Sequence, residues 1–304
     1  MAATIPLARA AMYSMPVPTT PKADRFSEFG RFLFALGMAM LGVQIPLVAD
    51  FALGLAPVPE WLPMQLPLAY LSAAVLLGAS VLVASGFRAQ FGAIAAALLF
   101  LVWFVLLQLP RLAAHPDDGQ VWKFAFEVLA LFAATWLLAA NAPPLAAAPI
   151  AAGAVWAPRI FGICLLVFGA LHCVYPDYVA SAIPAWLPAH TFFAYFTGAA
   201  HIAAGIAIVT GIQARLAATL LGAMFLSWVV LLHIPRVAAA PDSRVEWTSL
   251  LIAITLSGAA WLVANRFAPR AAQAPRKSSP VRIDSAVQTT SIEDATPDQA
   301  SEAA

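Results

Sequence analysis

Apolar positions along this chain gather into eight nearly unbroken runs, neither alternating nor confined to one helical stripe. The runs cover roughly 29–49, 66–84, 90–109, 121–140, 159–175, 190–210, 215–233 and 247–265. An α-helix needs about 20 predominantly apolar residues to cross a bilayer. Helix is also the form in which a single segment satisfies its own backbone polar groups away from water. The third run, Phe91 to Pro110, and the seventh, Leu216 to Pro235, hold no charged side chain apart from His233. The first and fifth runs are expected to end at Pro46 and Pro176. Pro110-Arg111 and Pro235-Arg236 are expected to end spans three and seven, since proline stops a helix and arginine carries its charge to the headgroups.

A second pattern lies beneath the first. Shifted by 125 residues, Trp61-Leu-Pro63 falls on Trp186-Leu-Pro188, Tyr70 on Tyr195 and Gly86 on Gly211. Pro110-Arg111, Pro116-Asp117, Trp122 and Trp136 then fall on Pro235-Arg236, Pro241-Asp242, Trp247 and Trp261. The coincidences run without a gap, which predicts a duplicated unit of four spans. An even number of spans gives both units the same orientation, so they are expected to be parallel repeats about an axis along the membrane normal. The expected fold is all-α and integral to the membrane, with eight transmembrane helices arranged as two parallel four-helix bundles side by side. Its expected divisions are an N-terminal arm (1–28), a first four-span repeat (29–140), an Ala/Pro linker (141–158), a second repeat (159–266) and a disordered tail (267–304).

Composition agrees with a membrane protein: 62% of residues are hydrophobic and 10% charged, against about a quarter charged in soluble domains. The arm carries Pro6, Pro16, Pro18 and Pro21, which break any signal-peptide core. The tail is rich in Ala, Pro, Ser and Thr and has no apolar period, so it is expected to be disordered. A net charge of +1 implies no nucleic-acid partner. Of the 16 Lys and Arg, only Arg111, Lys123, Arg236 and Arg244 fall on the face opposite the termini. The positive-inside rule then puts both termini in the cytoplasm. Trp61 and Trp186, in the outer loops, and Trp122 and Trp247 suit the outer interface, where an indole is at home. Cys164 and Cys173, nine apart on one helix, cannot pair with each other and read as small apolar fillers.

Chemistry concentrates in the second unit. His172, His201 and His233 occupy apolar runs, whereas the first unit has Leu76 and Gln108 at the positions matching 201 and 233. Gly198, His201 and Gly205 share one helix face, and His201 lies about 16 Å in from His190 at 1.5 Å per residue. An ionisable group at that depth is a functional candidate; imidazole can ligate a metal, carry protons or hydrogen-bond a quinone. The structural alternative is a neutral histidine that ties two helices together. His172 lies near the outer end of span five, and His233 beside Pro235-Arg236, where a solvated interface histidine is the plain reading. Glu127, inside span four, follows Lys123 by four residues, so a local ion pair is expected. His190 and His115 read as solvated. No two histidines have metal-ligand spacing on one helix, so no metal site is assigned.

The strings Gly169-Ala-Leu-His172, Tyr175-Pro176, Ile183-Pro184-Ala-Trp-Leu-Pro188 and Tyr195-Phe-Thr-Gly198-Ala-Ala-His201-Ile-Ala-Ala-Gly205 resemble the DoxX-like family of bacterial four-span membrane proteins. The resemblance covers the second unit well and the first mainly through Trp-Leu-Pro and Tyr70. It departs at His201, where a glutamate is expected. It implies a bacterial inner membrane, and a place near thiosulfate:quinone oxidoreductase subunits or oxidative-stress complexes with a soluble or membrane redox partner.

Three functions stay open. The first is a membrane subunit of a quinone-linked redox system, in which His172 and His201 line a pocket in the outer half and His233 and Glu127 deliver protons. The others are a transporter using the seam between the repeats, and a non-catalytic scaffold whose histidines join helices. No cofactor is assigned, quinone being the candidate.

Overall fold

The computed structural model describes residues 25–142 and 147–268. Most of the expected arm (1–24), the middle of the expected linker (143–146) and the tail from 269 onward lie outside the described residues. Eight helices are long and apolar enough to cross a membrane. They are α1 (Arg25–Val48), α2 (Gln65–Ser85), α3 (Ala89–Ala114), α4 (Gly119–Asn141), α5 (Gly153–Val174), α6 (His190–Thr210), α7 (Ala214–Ala239) and α8 (Arg244–Arg266). No strand occurs among the described residues.

Each helix packs on its neighbours in sequence, from α1 on α2 through to α7 on α8. The ring closes because α1 packs along α8, and α4 meets α8 across the middle. In a self-contained up-down bundle α1 would close on α4 and α5 on α8. Here the first helix of each half lies instead against the last helix of the other half. The fourth helices are therefore central: 83% of the α8 span is buried, against 28% of α7.

In lipid, helices gain little from apolar burial against one another and associate by close packing and hydrogen bonds. Two glycine seams supply the close packing. A Cβ on Gly258 of α8 would sit 2.3 Å from the Phe34 nitrogen of α1, and one on Gly37 would meet the Thr255 backbone nitrogen at 2.9 Å. Between α5 and α6, a Cβ on Gly169 would sit 2.7 Å from Gly198 O, and one on Gly205 2.7 Å from Gly162 O. Backbone is in the way in each case, and backbone cannot swing aside as a flexible side chain can.

Hydroxyls within the spans turn back onto carbonyls one helical turn earlier, as with Ser80 on Leu76 O, Thr135 on Leu131 O and Thr255 on Leu251 O. This is how a polar side chain is satisfied without water. A few bonds cross between helices. Ser257 donates to Gly222 O, Thr248 donates to Gln44 Oε1, and Gln90 donates to Ala139 O.

The prolines do not act as expected. Pro110 and Pro235 do not end spans three and seven, which continue to Ala114 and Ala239. Before each proline the helix widens into a π segment, Trp103–Gln108 and Val229–His233. There Leu109 N–H bonds Phe104 O and Ile234 N–H bonds Val229 O, five residues back. The wider turn makes room for a ring that would otherwise strike the carbonyl four residues earlier. Pro46 likewise sits inside α1 and Pro158 inside α5. Helix α5 therefore begins at Gly153, within the expected linker, behind a short helix Ala148–Ala151.

The same local geometry recurs 125 residues apart. Met64 and Ala189 precede α2 and α6 with φ of 61° and 59°, and Gly86 and Gly211 cap those helices at 75° and 80°. Trp122 Nε1 donates to Pro116 O and Trp247 Nε1 to Pro241 O, both at 2.8 Å.

Gly258→Ala is expected to destabilise the protein by about 1–3 kcal/mol, the usual cost of forcing an extra methyl into a packed interior. A Cβ at Gly78 on α2 meets nothing within 4 Å, so Gly78→Ala is expected to leave stability unchanged or raise it by up to about 1 kcal/mol, as alanine does in a helix interior. Unfolding in detergent, followed by circular dichroism, measures both.

Candidate functional site

His172 and His201 come together. Helix α5 ends at Val174, and the chain then runs through a short helix, Pro176–Ala182, that packs on α6. Helix α6 therefore starts further out than α5 ends. His172, next to the end of α5, stands beside Gly198 of α6, where an added Cβ would meet His172 Cβ at 2.8 Å. One turn deeper along α6 is His201, 1% exposed, and the two imidazole centroids are 5.0 Å apart. The glycine seam is what lets these rings approach.

Aromatic rings wall the pair. Trp228 of α7 lies 6.2 Å from His172 at a small interplanar angle and 5.7 Å from His201. Phe225, one turn earlier on α7, lies 5.5 Å from His201, and Phe168, one turn before His172 on α5, lies 6.0 Å from His201. The aromatic spacings (Phe168 and His172 at i, i+4; Phe225 and Trp228 at i, i+3) are visible in the sequence. Nothing in it says that α7 turns that face toward α5.

Both rings are held in the same way. His172 Nδ1 is 2.7 Å from Phe168 O and His201 Nδ1 is 2.8 Å from Thr197 O, each four residues earlier on its own helix. A carbonyl can only accept, so Nδ1 carries the proton, and in a neutral ring Nε2 holds the lone pair. Neither bond links two helices. The helix-tie role expected for a structural histidine is thus not how these bonds run.

The other candidates lie elsewhere. His233, half-buried at the end of the π segment of α7, has no partner for Nδ1 among the described residues and lies within electrostatic range of Lys123, Arg236 and Glu246. Its counterpart Gln108 is fully buried and donates through Nε2 to Gly54 O and Leu55 O, so it pins the loop between α1 and α2. Glu127 is 6% exposed, its Oε1 3.0 Å from Lys123 Nζ and its Oε2 without a partner among the described residues.

Arg236 makes a two-pronged bond to Glu246, Nε to Oε2 and Nη2 to Oε1, both at 2.7 Å. Its charge is therefore held by a carboxylate of α8, a partner the sequence reading did not find because ten residues and a turn separate the two. Arg111, half-buried, has no carboxylate partner among the described residues. Arg244 pairs with Asp50 at 2.7 Å and also donates to Phe51 O, joining the start of α8 to the end of α1. Trp61 and Trp186 are 79% and 64% exposed, free to lie among headgroups. His115 is exposed, and His190 is half-buried against Pro184 O at 3.2 Å. Cys164 is buried, Cys173 exposed, and both are free thiols.

Among the described residues no group of three or more His, Cys, Asp or Glu is placed to hold a metal ion. What the pair can do with its own atoms is accept two hydrogen bonds through two Nε2 lone pairs, inside an aromatic wall.

The Lys123–Glu127 pair yields a prediction of its own. Removing one member of a buried pair costs up to about 3–5 kcal/mol because the other charge is left alone. Lys123→Met should accordingly destabilise far more than Glu127→Gln, and the double variant K123M/E127Q should recover most of the loss. Thermal unfolding of the three variants checks the order.

Residues 161–264 match a family model described as "Domain of unknown function (DUF8561)". The matched stretch runs from the first turns of α5 to the end of α8 and includes His172, His201, His233, Phe168, Phe225 and Trp228. No curated protein and no solved structure matches the chain.

Proposed function

We propose that this multi-pass membrane protein binds a quinol at the His172–His201 pair and serves as the membrane subunit of a redox system. The observation that carries the reading is the way both imidazoles spend their protons. Each Nδ1–H is bound to its own helix, which leaves two Nε2 acceptors within one aromatic-walled site. A quinol presents hydroxyl donors that suit such acceptors, and its ring suits the faces of Trp228 and Phe225. On oxidation the quinol would pass its two protons to these nitrogens or through them, and its two electrons to a redox partner protein. His233 and Glu127, whose Nδ1 and Oε2 have no partner, are further along as proton-carrying groups.

The site belongs to the second half only. At the positions 125 residues earlier stand Leu47 and Leu76, so we read the chain as two parallel four-span repeats, one with chemistry and one without. The recurring caps, π segments and tryptophan bonds support that reading, as does the ring in which α1 packs on α8 just as α5 packs on α4. The resemblance of Gly169-Ala-Leu-His172 and Tyr195 to Gly205 to the DoxX-like family, together with the charge asymmetry, favours a bacterial inner membrane with both termini in the cytoplasm. The transporter reading keeps one observation in its favour, the unpartnered Glu127 Oε2 on central helix α4.

Protein purified in mild detergent is expected to carry about one extractable quinone per chain. Replacing each histidine by the residue of the first half, His172→Leu and His201→Leu, is expected to lower that content at least tenfold while the protein stays folded. An empty wild-type protein that also fails to bind added quinol, or leucine variants that keep full occupancy, would overturn the reading.

A further inference from the structure

At the end of the second half away from the histidines, a cavity of about 190 Å³ opens between the start of α5 and the ends of α6 and α8. Its lining includes Ala154, Pro158, Arg159, Thr210, Gly211 and Arg266, and no acidic residue. Two guanidiniums thus face one cleft at a membrane boundary.

Their placement follows from a proline. In a regular helix Ala154 O would accept the N–H of residue 158, but Pro158 has none. Arg266, arriving at the end of α8, fills the gap, its Nε 2.9 Å from Ala154 O. Arg159 Nη1 bonds Val155 O at 2.7 Å, and its guanidinium lies 5.7 Å from the Trp156 ring. Each arginine is thus anchored by one N–H to a backbone carbonyl of the first turns of α5. Neither has a carboxylate partner among the described residues, so each keeps further N–H donors for a ligand. The cleft meets the carbonyl ends of α6 and α8 and the amino end of α5, so the opposed helix dipoles largely offset one another and the guanidiniums set its positive sign. Beside it, Val155 and Trp156 are 47% and 56% exposed on the outer surface of α5, where lipid chains run.

We propose that this cleft binds the phosphodiester headgroup of an anionic phospholipid. Guanidinium forks match phosphate oxygens in geometry as well as charge, and basic clefts between transmembrane helices suit anionic headgroups. The exposed Val155–Trp156 face offers the acyl chains a bed continuous with the headgroup site. The first half has no copy of it, since the positions matching Pro158, Arg159 and Arg266 are Leu33, Phe34 and Asn141.

The test uses the full chain in detergent, with phosphatidylglycerol, phosphatidylcholine or inorganic phosphate added, read by native mass spectrometry and thermal unfolding. Phosphatidylglycerol is expected to stay bound and raise the unfolding temperature, while phosphatidylcholine and inorganic phosphate do neither. R159Q/R266Q should retain phosphatidylglycerol at least fivefold less, whereas the distant R88Q retains it as wild type does. Should the double variant not fold, R159Q alone decides, since Arg159 bonds only within its own helix. Equal retention of phosphatidylcholine means an unspecific lipid surface, and equal stabilisation by inorganic phosphate means a free-anion site. Either result, or undiminished retention by the folded arginine variant, overturns the proposal.

Discussion

The close approach of helix backbones at two glycine seams is the constraint on which the rest of this molecule depends. Lipid tails offer no reason for apolar helices to leave them for one another, so the helices must gain from contact itself. Gly37 and Gly258 bring α1 onto α8, which closes the ring and buries α8 at its centre. Gly162, Gly169, Gly198 and Gly205 bring α5 onto α6. The second seam does more than pack, because it also brings His172 and His201 within ring contact.

The polar groups follow one rule with a few exceptions. Within the spans, hydroxyls and imidazole Nδ1 atoms return to carbonyls of their own helix, the cheapest partner where water is absent. Charges instead collect at the helix ends and hold the boundary regions together, as Arg244 does with Asp50, Arg236 with Glu246 and Arg266 with Ala154 O. The exceptions are the few bonds that cross between helices, such as Ser257 to Gly222 O, and the buried atoms without partners among the described residues, Gln108 Oε1, Glu127 Oε2, His233 Nδ1 and Arg244 Nε. All four of these atoms belong to residues that lie toward one end of the helices, the end of the histidine pair.

The two halves share helix lengths, caps and π segments, yet they differ in chemistry. Where the second half has His201, Pro158 and Arg159, the first has Leu76, Leu33 and Phe34. The shared features are those that a helix needs in order to turn and end. The unshared ones sit on helix faces, where the side chain and not the course of the helix decides the chemistry.

Much of this was legible in the sequence, because a membrane span is a local property. Twenty apolar residues in a row have no other stable solution in lipid, so the eight helices and the turns between them could be read directly, with errors confined to the prolines. The course of the helix through Pro110 and Pro235 is not legible in this way, because a π turn depends on how the backbone relaxes around the ring, which residue type alone does not reveal. The candidate histidines were legible for the same local reason: an imidazole in an apolar run stands out. Their pairing was not, nor were the Trp228 wall, the Arg236–Glu246 bond and the Arg266 bond to the carbonyl left open by Pro158. Each of these is a contact between helices, and which faces meet is decided by where the small residues let backbones touch. Only the tertiary structure could settle that.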